Sequence, residues 1–308
     1  MFETPVLLII FNRPDATRQT LDAIRRVRPR QLFVAADGPR PGKPTDAERC
    51  RAARAVIDGV DWPCTVQTLF RTENRGCGRG PAEAITWFFG HVEAGIILED
   101  DCVPDDSFFS YCQTLLEHYR HNDKVYMISG TNALRTWPVS RASYLFSYMG
   151  HSLGWATWRR AWATFDYDMP GWANELNRQK IRKLLKRPLY YDHFSTEFDK
   201  YYTARPDDVW DFQWLFARWV NGGKTIVPTV NLITNIGFNA DATHSVYEAD
   251  PLANLPLHQL AFPLRHPAGE VDQLFDWYLF ERFISLRKRT IWKKIVLKTI
   301  RITLQSVS

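Results

Sequence analysis

A chain of 308 residues, 45% of them hydrophobic, can bury a full-sized core as one large domain or as one domain with an appendage. No apolar run approaches the ~18–20 residues that span a bilayer, and the start Met1-Phe2-Glu3-Thr4-Pro5 lacks the basic segment of a signal peptide, so a cytoplasmic location is expected. The net charge of +5 comes from the C-terminal segment and the rest is close to neutral, which argues against nucleic acid as a partner. Cys50, Cys64, Cys77, Cys102 and Cys112 are odd in number and form no CxxC pair, as expected of reduced thiols rather than a disulfide framework or structural zinc site.

In chain order, residues 5–11 read as a buried strand, broken by Asn12-Arg13-Pro14-Asp15 before a helical run carrying Leu21, Ile24 and Val27. A strand over 31–36 ends at Asp37-Gly38, and a Pro/Gly-rich loop over 39–44 leads to a helix over 46–58. The strand 65–70, a glycine-rich loop over 74–81 and a helix through 84–92 follow, and then the apolar run 94–98 ends in Glu99-Asp100-Asp101. A helix to about Tyr119 and a strand over 125–129 come next. Strands alternating with helices predict a mostly parallel sheet with right-handed crossovers, the first 130 residues being about the size of a nucleotide-binding α/β unit.

The character then changes, because 136–219 is rich in Trp and Tyr, densest at Gly154-Trp155-Ala156-Thr157-Trp158 and Trp210-Asp211-Phe212-Gln213-Trp214. Most of these rings are expected in a core, with a few, Trp155 and Trp210 the candidates, lining a sugar-sized groove. An apolar stretch over 226–236 precedes a polar loop over 239–245 that contains His244 and Ser245. In the last segment Arg287, Lys288, Arg289, Lys293, Lys294, Lys298 and Arg301 alternate with Ile291, Trp292, Ile295, Val296, Ile300 and Leu304. That pattern predicts an amphipathic helix over 287–304, able to lie on an anionic membrane surface or to dock on the domain.

The triplet Glu99-Asp100-Asp101 is the most telling feature. Three carboxylates at the C-terminal end of a buried strand crowd like charges into a crevice, an arrangement that is costly without a counter-cation. Ligands of open α/β sheets bind beyond those strand ends, so a hard divalent metal carrying a phosphorylated ligand fits, while a solvated acidic turn before a helix start accounts for the same residues. The stretch 76–80 is no Walker loop, since no Gly-Lys-Ser/Thr follows, and it lacks the strand context of the dinucleotide fingerprint.

Taken together, Phe11-Asn12-Arg13-Pro14, Ala36-Asp37-Gly38, Ile97-Leu98-Glu99-Asp100-Asp101 with Pro104 and Phe108-Phe109, residues 152–158, Trp210-Asp211 and Thr243-His244-Ser245 resemble the GT-A glycosyltransferases. The likeness covers roughly residues 5–250 and is strongest to inverting enzymes of the alpha-1,3-mannosyl N-acetylglucosaminyltransferase type and to bacterial nucleotide-diphospho-sugar transferases. It implies a Rossmann-like, mostly parallel central sheet flanked by helices, divided into a nucleotide-sugar-binding half (1–130), an acceptor-binding and catalytic half (131–265) and a basic helical tail (266–308).

For the site, the resemblance implies that Arg13 meets the ribose or phosphates of the donor, Asp37 accepts a hydrogen bond from the base, and Asp101 is the main ligand of Mn²⁺ or Mg²⁺. Asp100 or Glu99 would hold metal-bound water or contact the ribose. Asp211 resembles the catalytic base of the inverting family, with Asp207 and Asp208 as nearby competitors and Phe212 where that family often has a second acid. His244 or Ser245 would complete the metal shell or bind a phosphate oxygen; separately, the glycine-rich stretch would let the backbone and Arg75 or Arg79 approach the donor. The expected partners are an NDP-sugar, most readily a UDP-sugar, and a glycan or lipid-linked acceptor at the inner membrane face. A nucleotidyltransferase making the activated sugar is the alternative within the fold, disfavoured by Asn12-Arg13-Pro14 where a glycine-rich, lysine-bearing signature belongs. A silent carbohydrate-binding or scaffold protein is the alternative outside catalysis.

Overall fold

A computed structural model of the protein describes residues 2–237 and 250–282. The apolar run of β1 (Val6–Ile10) stops at Arg13, and Pro14, whose missing N–H costs nothing in a first turn, opens α1 (Pro14–Val27). Then come β2 (Gln31–Ala36), α2 (Asp46–Ala55), β3 (Thr65–Phe70), α3 (Gly76–His91) and β4 (Ala94–Glu99). Strand β1 lies between β2 and β4, parallel to both, with β3 parallel outside β2. The chain therefore winds outward through β2 and β3 and returns on the other side of β1, leaving a topological switch point between β1 and β4.

The second half adds β5 (Cys102–Pro104), α4 (Asp106–His118), β6 (Val125–Ser129), β7 (Tyr144–Ser147), β8 (Trp155–Trp158) and α5 (Arg159–Trp162). After these come α6 (Glu175–Leu185), α7 (Pro188–Thr203), α8 (Asp211–Val220), β9 (Lys224–Pro228), β10 (Ile233–Asn235) and α9 (Gln273–Phe280). One sheet of eight strands joins both halves in the order β3-β2-β1-β4-β8-β6-β9-β7. Strands β8 and β7 run against their neighbours and the rest share one direction, so the fold is α/β with a mostly parallel, Rossmann-like central sheet. A separate antiparallel pair, β5 with β10, sets Asn235 opposite Cys102 and so brings it beside the acidic triplet.

Side chains alternate across the sheet as the period of two requires. Val6, Leu8 and Ile10 of β1 and Ile96 and Leu98 of β4 pack towards α1, α2 and α4, while Leu7 and Ile97 face α3 and α5. A third apolar cluster is built by α6, α7, α8 and α9 around Phe194, Phe216, Trp219 and Phe275.

Two sequence expectations are corrected. The glycine-rich stretch read as a loop over 74–81 is helical from Gly76, with Pro81 inside α3, because the side chain of Asp37 takes the backbone N–H groups of Arg75 and Gly76. Trp155, one of the two rings expected to line a sugar groove, lies in the buried strand β8. The basic segment 287–304 and the residues His244 and Ser245 lie outside the described residues. Among the described residues no helix is long and apolar enough to cross a membrane.

Candidate active site

The C-terminal ends of β1, β2 and β4 open into a cleft of about 440 Å³, lined among others by Arg13, Asp37, Arg40, Arg71, Glu99, Asp100, Asp101, Trp210 and Asp211. It occupies the switch point, where the strands' ends leave a crevice between outward-winding crossovers. Alternation along β4 sends Glu99 to the side of Ile97 and Asp100 to the side of Leu98, against α1.

The acids are partly neutralised by the chain itself. Arg13 reaches back from the end of β1, donating through Nη2 to Asp100 Oδ1, while its Nη1 lies 2.9 Å from Asp101 Oδ2. Asp100 is buried and also accepts the Phe11 N–H at 3.3 Å, and its carbonyl accepts the Thr20 hydroxyl at 2.8 Å. Burial works against the Arg13 charge, but Asp100 and Asp101 outweigh it and hold the guanidinium above its ordinary range. Asp101 Oδ1 accepts from Asn235 Nδ2 at 3.2 Å. The backbone must come very close here: a methyl on Gly237 would overlap Asp101 Oδ2 and sit 2.7 Å from Arg13 Nη1.

Among the described residues no cation contacts Glu99. Burial, then the charges of Asp101 and Asp100, push its carboxyl well above the usual carboxylate range. Three carboxyl groups share one arginine, and a hard divalent cation among their oxygens would lower the cost of ionising all of them. Among the described residues no group of three or more His, Cys, Asp or Glu side chains forms a preformed cage. A cation held by one or two carboxylates and completed by water and ligand phosphates needs none.

Asp37, expected to accept a hydrogen bond from the donor's base, lines the cleft with its carboxylate already engaged by the chain. Its carboxylate accepts from the N–H groups of Arg75 (2.9 Å), Gly76 (3.0 Å) and Gly38 (3.0 Å), so it fastens the end of β2 to the start of α3. Burial raises its carboxyl, and those N–H groups pull it back down. Arg75 turns its guanidinium to Glu83 at 2.9 Å, away from the cleft lining. Arg40 and Arg71, which sequence reasoning missed, line the cleft instead. Arg71 sits one residue past the end of β3, a position the strand-end rule covers; Arg40 sits in the Pro/Gly loop, where no pattern marks it.

A second cleft of about 390 Å³ adjoins the first, lined by Met149, His151, Phe212, Trp214, Arg218 and Leu252 among others. Ser152, Leu153 and Asp211 line both clefts. Asp211 is the first residue of α8 and exposes its side chain to this shared space, where Oδ1 accepts the Phe212 N–H at 2.9 Å. Removal from bulk water raises its carboxyl, opposed by that N–H. Trp210 lines the first cleft, whereas Trp155 is 1% exposed, packs against Trp210 at 5.7 Å and lines neither cleft, so the acceptor-groove expectation for Trp155 gives way to a core role.

No protein family's sequence profile matches the chain, and no curated protein matches it. Among solved structures it is similar to an inositol-1-phosphate CTP transferase from T. maritima at TM-score 0.39 and 10% identity, covering 80% of this chain and 96% of that one. It is also similar to mouse xyloside xylosyltransferase 1 at TM-score 0.34 and 12% identity, covering 70% and 81% of the two chains. A 4-diphosphocytidyl-2C-methyl-D-erythritol synthase from Anaerococcus prevotii matches at TM-score 0.32 and 9% identity, over 52% of this chain and 74% of that one. Likenesses this distant carry no argument about activity, which has to be argued from the chain's own residues.

Proposed function

We propose that the protein is an inverting glycosyltransferase that moves a sugar from a nucleoside diphosphate donor, a UDP-sugar in the first instance, to a hydroxyl of a glycan or lipid-linked saccharide in cell-surface polysaccharide synthesis. The observation that carries this reading is the position of Asp211 on the wall common to two clefts, one at the switch point beside clustered acids and arginines, the other rimmed by aromatic and apolar side chains. A transferase needs two substrates to meet at one base, and this is the arrangement that lets them.

The donor lies in the first cleft, with Arg13, Arg40 and Arg71 near its phosphates and Glu99 and Asp100 towards its ribose. Asp101, with His244 or Ser245 from outside the described residues, would hold a Mn²⁺ or Mg²⁺, which would supply positive charge for the departing diphosphate. The acceptor hydroxyl enters from the second cleft and gives its proton to Asp211 Oδ2 as its oxygen attacks the anomeric carbon from the face opposite the diphosphate, inverting the configuration. A carboxyl raised above its ordinary range is a stronger base for that hydroxyl. Asp37 supports the site by holding α3 in register, and the basic segment 287–304 would hold the enzyme on anionic lipid.

Incubating the protein with a panel of NDP-sugars, with and without Mn²⁺, tests this. Metal-dependent release of nucleoside diphosphate is expected, slow where water replaces the acceptor. Release of pyrophosphate from a nucleoside triphosphate and a sugar phosphate would instead identify a nucleotidyltransferase, and no release under any condition would leave a silent binding protein.

A further inference from the structure

Arg218 stands in the wall of the second cleft with no ion pair among the described residues. The residue is 2% exposed, its Nη1 donates to Thr225 Oγ1, and Nε has no hydrogen-bond partner among the described residues. Among the described residues Asp211 is the one acid whose charge reaches it, and the two make no ion pair. A buried guanidinium held by one hydroxyl and, 6.0 Å away, the Trp214 ring is still short of a counter-charge, and structures keep such groups where an anion completes them. Helix geometry aims the group: Asp211, Trp214 and Arg218 follow one another at three and four residues along α8 and line the same cleft. Long helical side chains lean towards the N-terminus, which brings the guanidinium back towards Asp211.

We propose that the second cleft recognises an acceptor sugar bearing an anionic substituent, a carboxylate or a phosphate, which pairs with Arg218 while a hydroxyl of the same ring meets Asp211. The inference rests on the two-cleft transferase reading for the role of the bound sugar, but the recognition itself depends only on the cleft. Lying along one helix face within reach of each other's charge, the base and the cation suit groups on one ring better than groups on separate sugars. The other charged group of the cleft, Asp250, accepts the Leu252 N–H at 2.9 Å and bears on His151 rather than on Arg218. Burial holds the guanidinium down at about 9, so it is still a cation at neutral pH. At present its field lowers the Asp211 carboxyl; an anion seated on it would cancel that pull and leave Asp211 a better base just when the acceptor is in place.

The test is a calorimetric titration of the full chain, without donor, with methyl glucuronide, glucose 6-phosphate and methyl glucoside. The charged sugars are expected to bind at least tenfold more tightly than the neutral one, and the stronger of the two tells whether carboxylate or phosphate is preferred. Arg218→Gln should abolish the preference, whereas Arg71→Gln, in the first cleft, should leave it. Because a core arginine is a risky replacement, Leu252→Asp provides a second variant: the half-buried Leu252 lines the cleft, and a carboxylate there should weaken the charged sugars while sparing methyl glucoside. Equal binding of charged and neutral sugars by the unmodified protein, or a preference untouched by both cleft-two variants, would overturn the proposal. Because binding is read without transfer, absence of nucleoside diphosphate release in the donor assay would count against the transferase reading alone.

Discussion

At the scale of single residues, the site is organised by Arg13 and its carboxylates, and the tightest point is the glycine beside them. Gly237→Ala would drive a methyl into Asp101 Oδ2 and against Arg13 Nη1, so one of those side chains has to leave its place. The expected result is a fall in NDP-sugar affinity of about tenfold, worth about 1.4 kcal/mol, with little change in the unfolding midpoint because the overlap is confined to the cleft wall. Titration calorimetry beside thermal unfolding checks this, and an unchanged affinity would remove the Arg13–Asp101 contact from the donor site. Much of this residue-level picture was visible as composition but not as pairing. Three adjacent acids were legible as an electrostatic problem, and a metal as one answer; that Arg13, 87 residues from Asp100 in the chain, supplies part of the answer depends on β1 and β4 being neighbours.

At the scale of elements, Asp37 shows why a strand or helix pattern can be read correctly while its boundary is not. Glycines and Pro81 punctuate residues 74–81 like a loop, yet a carboxylate from the end of β2 captures N–H groups at the start of α3 and lets the helix begin at Gly76. Asp37→Ala should strand those donors at a cost of about 1–3 kcal/mol, read as a drop of several degrees in Tm, and Asp37→Asn, which keeps one acceptor, should recover part of it. A variant as stable as the parent would show that water replaces the carboxylate.

A second element contact sets a pH dependence. Asp276 of α9 is 8% exposed and accepts from the Ser147 hydroxyl at the end of β7 and from the Tyr148 N–H at 3.2 Å. Burial pushes its carboxyl up to about 7 against those hydrogen bonds. The unfolded chain releases that proton near pH 4, so between about pH 4 and 7 the folded state binds more protons, and stability falls as pH rises, by at most about 1.4 kcal/mol per unit. Above pH 7 the loss is complete. Urea unfolding at pH 5 and pH 8 should show a larger loss for the parent than for Asp276→Asn; parallel losses would mean that Asp276 is ionised throughout.

For the molecule as a whole, the alternation of strands and helices through residue 99 was enough to predict a parallel sheet with its ligand beyond the strand ends, since each crossover covers a sheet face with a helix whose apolar spacing is written locally. What could not be read is how the second half joins it. Strand β8 enters antiparallel between β4 and β6, and its sequence, Trp-Ala-Thr-Trp, has the look of a binding cluster because aromatic rings serve a core and a sugar groove equally well. That insertion carries Ser152 and Leu153 to the boundary of the two clefts, where α8 delivers Asp211. The architecture therefore converges on one side chain.

The most direct test of the account is the Asp211→Asn variant measured for donor binding and for turnover on the same preparation. With the general base removed and the cleft shape kept, turnover should fall about 10²–10⁴-fold while the NDP-sugar dissociation constant stays within about twofold of the parent. Undiminished turnover, or donor binding lost in step with turnover, would contradict the assignment of Asp211 as the base shared by the two clefts.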